Sequence, residues 1–204
     1  EPPKDDLIGY LLALEVDGEP LPDAQIYGTI GLLIIAGIDT TWSAIGASLW
    51  HLAKHPADRT RLVEDPAVLP FAVEEFLRFY APVTMARIAA TDTEIGGCPV
   101  AERDWVLLPF PAANRDPEVF ERADEFIIDR QRNRHVAFGL GIHRCAGSNL
   151  ARMELTVAID EWMKRIPDFE LADEDPDAVR WSTGQVRGPR ELPIRVLRTN
   201  EEES

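Results

Sequence analysis

The chain has 204 residues, 36 acidic and 21 basic, which gives a net charge of −15 and a pI near 4.6. That balance excludes nucleic acid and anionic membrane surfaces as partners, because phosphates repel it. Apolar residues at 45% and charged residues at 28% exclude wholesale disorder and fit one packed domain or two small ones, while two cysteines, Cys98 and Cys145, are too few for a disulfide framework.

No leader-like segment of charged, apolar and small residues opens the chain, so a reducing, cytoplasmic setting is expected. Residues 7–14 read as the end of a helix, and Asp17, Gly18 and Pro20 as a turn. A long helix is predicted over residues 23–54, ended by Pro56, spanning about 48 Å at about 1.5 Å per residue. Within it, residues 29–50 carry a single charge, Asp39. That stretch is long enough for a membrane span. Against this, a central carboxylate costs about 2.5 to 3.5 kcal/mol on insertion scales, and no aromatic and basic belt brackets both ends. The expected form is a helix buried in a soluble core, apolar nearly all round.

Helices are predicted next at 56–64 and 68–79, the second stopped before Pro82. From 86 to 110, alternating and β-branched residues around Gly96-Gly97 predict short strands and a hairpin. Residues 114–133 read as loop with at most one short helix, a length that needs some external constraint. Apolar Leu150, Met153, Val157 and Ile166 stand at helical spacing within 148–166. Residues 181–196 read as another short β region and 201–204 as a solvated acidic tail. No internal repeat or linker divides the chain.

The strongest local signal is FGLGIHRCAG, residues 138–147, a cysteine among glycines just ahead of a helix. Unpaired backbone N–H groups and the dipole at a helix N-terminus favour an anionic sulfur. Gly139 and Gly141 allow backbone angles closed to other residues and let a flat partner approach closely. A lone cysteine is more commonly a small buried hydrophobe. Zinc is the weaker reading, since His143 and Cys145 are only two ligands with no second pair at finger spacing.

This loop resembles the haem-ligand loop of the cytochromes P450. The resemblance implies a mainly α fold with small β-sheets, in which Cys145 is the axial thiolate of a b-type haem whose electron donation favours O–O heterolysis. It places His143 at a haem propionate, Phe138 beside the thiolate, and Ala137, Gly139, Ala146 and Gly147 around the cofactor. AGIDTT, residues 36–41, is similar to the family's oxygen-binding segment. Leu33, Gly37, Thr40 and Ala44 share one helical face, and a helical glycine costs about 1 kcal/mol relative to alanine unless something flat lies against it. The resemblance makes Thr40 the partner of bound dioxygen or an ordered water and Asp39 the inward proton donor. The plainer alternative is an Asp-Thr pair that bends the helix locally.

Glu75 and Arg78 stand three apart, which alone is a surface pair worth about 0.2–0.5 kcal/mol. Matched to the family's Glu-x-x-Arg element, they imply a buried structural network with Arg130 that holds the long loop ahead of Cys145. Arg87 matches the arginine that meets the other propionate, and a guanidinium suits a carboxylate's bidentate geometry; the alternative is a solvated strand arginine. The resemblance lines the substrate pocket with Leu32, Leu33 and Ile35, with Val83, Thr84, Met85 and Ala86, and with the turn at 183–186. Of these the lead candidates are Leu33, Val83, Met85, Gln185 and Val186, a mainly apolar set. Thr183 and Gln185 are candidate polar anchors or simply turn residues.

Residues 130–152 hold five arginines (130, 132, 134, 144, 152) and no acid, a +5 segment in a −15 chain. It is expected to dock an acidic electron donor such as a ferredoxin served by its reductase; alternatively, its charges balance propionates and scattered acids. One departure is Arg103, where the family often has glycine, so a different hairpin turn is expected.

The whole chain is thus expected to be the C-terminal portion of one haem-thiolate domain, lacking the fold's N-terminal half, with a separate N-terminal chain as a candidate partner. The implied activity is monooxygenation, by hydroxylation or epoxidation, of a small hydrophobic compound with dioxygen and two electrons. A non-catalytic haem-binding or sensing fragment and a peroxide-driven peroxygenase stand as alternatives.

Overall fold

The computed structural model describes residues 4–200 except 174, 176 and 177. The acidic tail expected at 201–204 lies outside the described residues. The chain divides into two compact units, residues 1–39 and 40–204, and the division falls inside one continuous helix.

In the first unit, α1 (Leu7–Ala13) is capped by Asp6, whose Oδ1 accepts from the Gly9 N–H at 2.8 Å. Strands β1 (Glu15–Val16) and β2 (Glu19–Pro20) form a hairpin across Asp17 and Gly18. Both turn residues have positive φ, 56° and 82°, as a two-residue hairpin turn requires. Helix α2 (Asp23–Lys54) follows Pro22 and stops ahead of Pro56, because the residue before a proline is pushed out of the helical region.

The expectation that α2 is buried nearly all round is overturned for its N-terminal half. Tyr27, Leu32, Ile34, Ile35 and Ile38 are all exposed, Ile35 by 74%, as is Trp42 just past the midpoint. Apolar side chains are buried only where another element lies over them, and no described element covers these. Toward the C-terminus, Ala44, Ala47, Leu52 and Ala53 are buried, together with the polar Ser48 and His51. By length and composition α2 could cross a membrane. The polar groups packed into its C-terminal turns are not those of a lipid-facing helix.

In the second unit, α3 (Pro56–Glu64) leads through a 3-10 turn at Pro66–Val68 into α4 (Leu69–Phe79), so the predicted helix start at 68 belongs to that turn. Strands β3 (Thr84–Ile88) and β6 (Trp105–Pro109) pair antiparallel. Between them, β4 (Thr93–Ile95) and β5 (Cys98–Val100) turn at Gly96-Gly97, where φ is 58° and 84°. The different turn expected at Arg103 does not arise. Arg103 takes φ 73°, the left-handed conformation that favours glycine, and is held by its N–H to Ala89 O at 2.8 Å.

After the short α5 (Phe110–Ala113), residues 114–140 form neither helix nor strand. Helix α6 (Ser148–Arg165) packs on α4 and α3. It buries Leu155, Ile159 and Met163, while the Leu150, Met153 and Val157 that signalled the helix are exposed. Strands β7 (Asp168–Leu171) and β8 (Ile194–Arg198) pair antiparallel. Sequence patterning missed β7, and the region expected at 181–196 supplies only two isolated bridges before β8, Val83 with Val186 and Trp181 with Pro189. The core gathers Leu52, Leu62, Val73, Phe76, Leu77, Leu155, Ile159 and Phe169 from α2, α3, α4, α6 and β7.

Candidate functional site

Helix α4 presents two adjacent carboxylates, and each organises a different part of the chain around residues 114–152. Glu75 and Arg78 are both fully buried and bonded in a fork: Arg78 Nε donates to Oε2 and Nη2 to Oε1, each at 2.8 Å. Arg130 Nε adds bonds of 3.1 and 3.0 Å to the same carboxylate, as do the Ile127 N–H at 2.8 Å and Asn133 Nδ2 at 3.1 Å.

The remaining guanidinium N–H groups serve backbone carbonyls. Arg78 reaches Asn114, Ala123 and Glu125 at 2.7–2.8 Å, and Arg130 reaches Glu121, Arg122 and Glu125 at 2.7–3.2 Å. A segment without regular structure leaves its peptide groups unpaired, and these two arginines meet that need from side chains. Asn114, buried among them, donates to Arg78 O and accepts from the Val136 N–H at 2.7 Å.

Glu74 grips both ends of the cysteine loop. On the entering side, His135 Nε2 lies 3.0 Å from Glu74 Oε2, while its Nδ1 accepts from the Ala137 N–H at 3.2 Å. That acceptor role places the proton on Nε2, which donates to the carboxylate. On the leaving side, Arg152 of α6 donates from Nε to Oε1 at 2.6 Å and from Nη2 to Oε2 at 3.1 Å. Burial alone would raise the Glu74 pKa, but the hydrogen bonds and charges of His135 and Arg152 outweigh it and lower the value to about 2.

Between these grips Phe138 packs under the Arg152 guanidinium at 4.6 Å, and the Cys145 N–H donates to Phe138 O at 2.9 Å, closing the loop. Gly139 and Gly141 both take φ 68°. Ala137 is buried at the base, whereas His143, Arg144, Cys145, Ala146 and Gly147 are exposed. A Cβ added at Gly141 would meet nothing within 4 Å, and Ile142 is 96% exposed. The surface therefore presents a bare thiol on an open, glycine-flanked and partly apolar loop, which fits a flat apolar ligand bearing a thiolate-binding metal.

Thr40 and Asp39 sit half-buried on α2 and both take part in interactions within the protein. Around Gly37 no atom lies within 4 Å of where a Cβ would stand, so that helix face is open, and Leu33 is 41% exposed. Arg87 lies half-buried on β3, its Nη1 donating to Ala86 O at 2.8 Å. Two of the three pocket-lining groups come together: Val83 bridges Val186, the Thr84 N–H donates to Gln185 O at 2.9 Å, and Gln185 Nε2 lies 3.6 Å from Met85 Sδ. The excursion carrying that turn lies hard against α2. Gly188 N donates to Ser182 Oγ at 2.9 Å, and a Cβ at 188 would stand 2.3 Å from Ser43 Cβ.

Of the five arginines in the basic segment, Arg130 and Arg152 are engaged by Glu75 and Glu74. Arg132, Arg134 and Arg144 are exposed and form no ion pair among the described residues.

Sequence reasoning missed Glu74, His135, Asn114 and Asn133, while Arg152, counted in the basic segment, balances an acid, as the alternative reading of that segment expects. The doubled glutamate in EEFLR was the one available sign, since adjacent helical residues point to different neighbours.

The family described as Cytochrome P450 matches residues 1–176. The chain is 38% identical over 197 residues to the polyketide biosynthesis cytochrome P450 PksS of Bacillus subtilis strain 168, covering 95% of this chain and 48% of that protein. It is 38% identical to a steroid C26-monooxygenase of Mycolicibacterium smegmatis, over 94% of this chain and 48% of that one. The solved PksS structure superposes with a TM-score of 0.89 over 95% of this chain and 50% of its own. CYP109E1 from Bacillus megaterium in complex with testosterone does so at 35% identity and TM-score 0.88, over 96% and 54%. The chain thus spans about half the length of the relatives it matches. A family match over residues 1–176, identities of 35–38% and a common backbone agree with a cysteine loop tied to one helix's carboxylate: the chain belongs to the cytochrome P450 family.

Proposed function

We propose that the chain carries the haem-ligand and oxygen-binding parts of a haem-thiolate monooxygenase that oxidises a hydrophobic organic compound using dioxygen and two electrons. The observation that carries this reading is the exposed Cys145 thiol on a loop closed by its own N–H and clamped at both ends by Glu74. Haem held through that sulfur would supply the redox-active iron for dioxygen chemistry.

The chain's residues do the rest. Cys145 stays ligated because its loop is held by contacts that do not involve the sulfur, and His143 and Arg87 offer cationic or hydrogen-bonding partners for the cofactor's carboxylates. Asp39 relays protons inward along α2 to the Thr40 hydroxyl, which stands on the face shared with Leu33, Gly37 and Ala44. Val83, Met85 and Val186 exclude water and present an apolar wall, beside which Gln185 offers a polar anchor. The relatives' names, a steroid C26-monooxygenase and a testosterone-bound enzyme, support a steroid-sized hydrophobe as substrate. Exposed Arg132, Arg134 and Arg144 form the landing surface for an acidic electron donor of the ferredoxin type. A cytoplasmic location follows from the same reading.

The test is the carbon monoxide spectrum of the reduced, haem-loaded full-length protein. A red-shifted Soret band lost in Cys145→Ser is expected; a histidine-like band, or no band, overturns the proposal. Thr40→Ala is expected to keep the band while diverting electrons into peroxide, measured as peroxide formed per reduced nicotinamide consumed, and unchanged coupling removes Thr40 from the mechanism.

A further inference from the structure

The junction of α2 and α3 gathers three side chains that no step above uses. His51, in the last turn of α2, and His55, just beyond the helix end, have their rings stacked at 4.1 Å between centroids and 24° between planes. Pro56 then breaks the helix, and Asp58 in the first turn of α3 brings Oδ2 to 2.9 Å from His51 Nε2. Nitrogen and oxygen atoms from all three residues lie within 4.8 Å of one another. We propose that His51, His55 and Asp58 form a three-ligand site for a divalent transition metal of the zinc type, independent of the haem site.

The donor set and its spacing carry the argument. In a tetrahedral zinc site with bonds of about 2.1 Å, neighbouring ligand atoms stand roughly 3.4 Å apart. The His51–Asp58 pair already lies near that edge length, and the exposed His55 reaches the third corner by side-chain rotation. Two imidazoles and one carboxylate suit zinc, nickel or cobalt, whereas magnesium and calcium prefer oxygen alone. Three protein ligands leave a fourth position for water.

The surroundings are those of a ligand held for use. His51 is 1% exposed, and its ring is fixed between Phe76 and Phe126 at 5.6 and 3.9 Å. Its Nδ1 lies 2.7 Å from the Tyr80 hydroxyl, the outer partner that a metal-bound imidazole uses to fix its orientation. With Nε2 on a metal, Nδ1 carries the proton and donates to Tyr80 Oη. A bound ion would tie the two helices across the proline break and favour the folded state by mass action.

The experiment is equilibrium dialysis of the full-length, untagged, haem-loaded protein, in a Cys98→Ser background, against ZnCl2, with MgCl2 as comparison. One retained zinc per chain and a raised melting temperature are expected, with no response to magnesium. His55→Ala, at an exposed position that leaves the core intact, and Asp58→Asn, which keeps a hydrogen bond to His51, should each weaken zinc binding by at least about tenfold. Tyr80→Phe, with all three ligands intact, should weaken it by about tenfold. Zinc retained equally by wild type and both ligand variants, or not retained at all, overturns the proposal and leaves His51 a buried histidine hydrogen-bonded to Asp58.

Discussion

The Glu75 cluster and the Cys145 loop are both anchored on α4, through adjacent glutamates, and are built in opposite ways. Around Glu75 the charges are out of water, with two arginines, an asparagine and a backbone N–H converging on one carboxylate. Around Cys145 the sulfur, His143 and Arg144 are exposed, and the loop keeps its shape through glycine backbone angles, a few backbone bonds such as Cys145 N–H to Phe138 O, and the ties of His135 and Arg152 to Glu74. Order and reactivity are thus assigned to different residues. The chemistry-bearing side chains are left uncommitted because others, up to 78 positions away in sequence, hold the backbone beneath them.

This division can be broken by substitution. Glu75→Ala leaves two buried guanidiniums without their counter-charge, and a loss of about 3–5 kcal/mol is expected by denaturant unfolding. A loss under 1 kcal/mol would show that the cluster is not what orders residues 114–133. Glu74→Gln should cost less, about 1–2 kcal/mol, since the carboxylate is part-exposed and an amide retains some of its bonds.

Glu74 also sharpens the comparison through pH. Folding depresses its pKa from 4.5 to about 2, so its contribution is complete above pH 4.5 and disappears as pH falls toward 2. Glu74→Gln should flatten that part of the stability curve, and a curve as steep as wild type would sever Glu74 from loop order. Cys145→Ser changes an exposed atom, so unfolding of the haem-free protein should shift by no more than about 0.5 kcal/mol. Arg134→Glu should leave stability untouched and make reduction by an acidic donor slower and less salt-sensitive. Unchanged salt dependence removes the docking surface.

Residues that punctuate the chain made much of this fold legible. Pro22 and Pro56 bracket α2, Gly96-Gly97 marks a hairpin, and the glycines at 139 and 141 flag the cysteine loop before any contact is known. Burial was less readable. Leu150, Met153 and Val157 announce a helix by their spacing, yet the face packed inward carries Leu155, Ile159 and Met163. Periodicity reports that a helix has an apolar face, and says nothing of which apolar face finds a neighbour. The apolar run of α2 misled in the same way, since its N-terminal half is largely uncovered. Least readable were bonds over long separations. Glu74 with Arg152, Asn114 with Val136 and His51 with Tyr80 depend on where helices cross, which no local pattern encodes.

Gly188 gives the proposed substrate wall a mechanical meaning. Its backbone lies so near Ser43 that even one methyl group would have to push α2 or the 181–190 excursion aside. Ser43 is one helical turn beyond Thr40, and Gly188 is two residues beyond Val186. A bulky compound pressing on the Gln185 turn therefore leans on the helical turn that carries the Thr40 hydroxyl, with no slack between them. Substrate size and proton delivery become two readings of one displacement, so that a Gly188→Ala protein should reveal itself first in how tightly electron use follows product, and only afterwards in how firmly the chain stays folded.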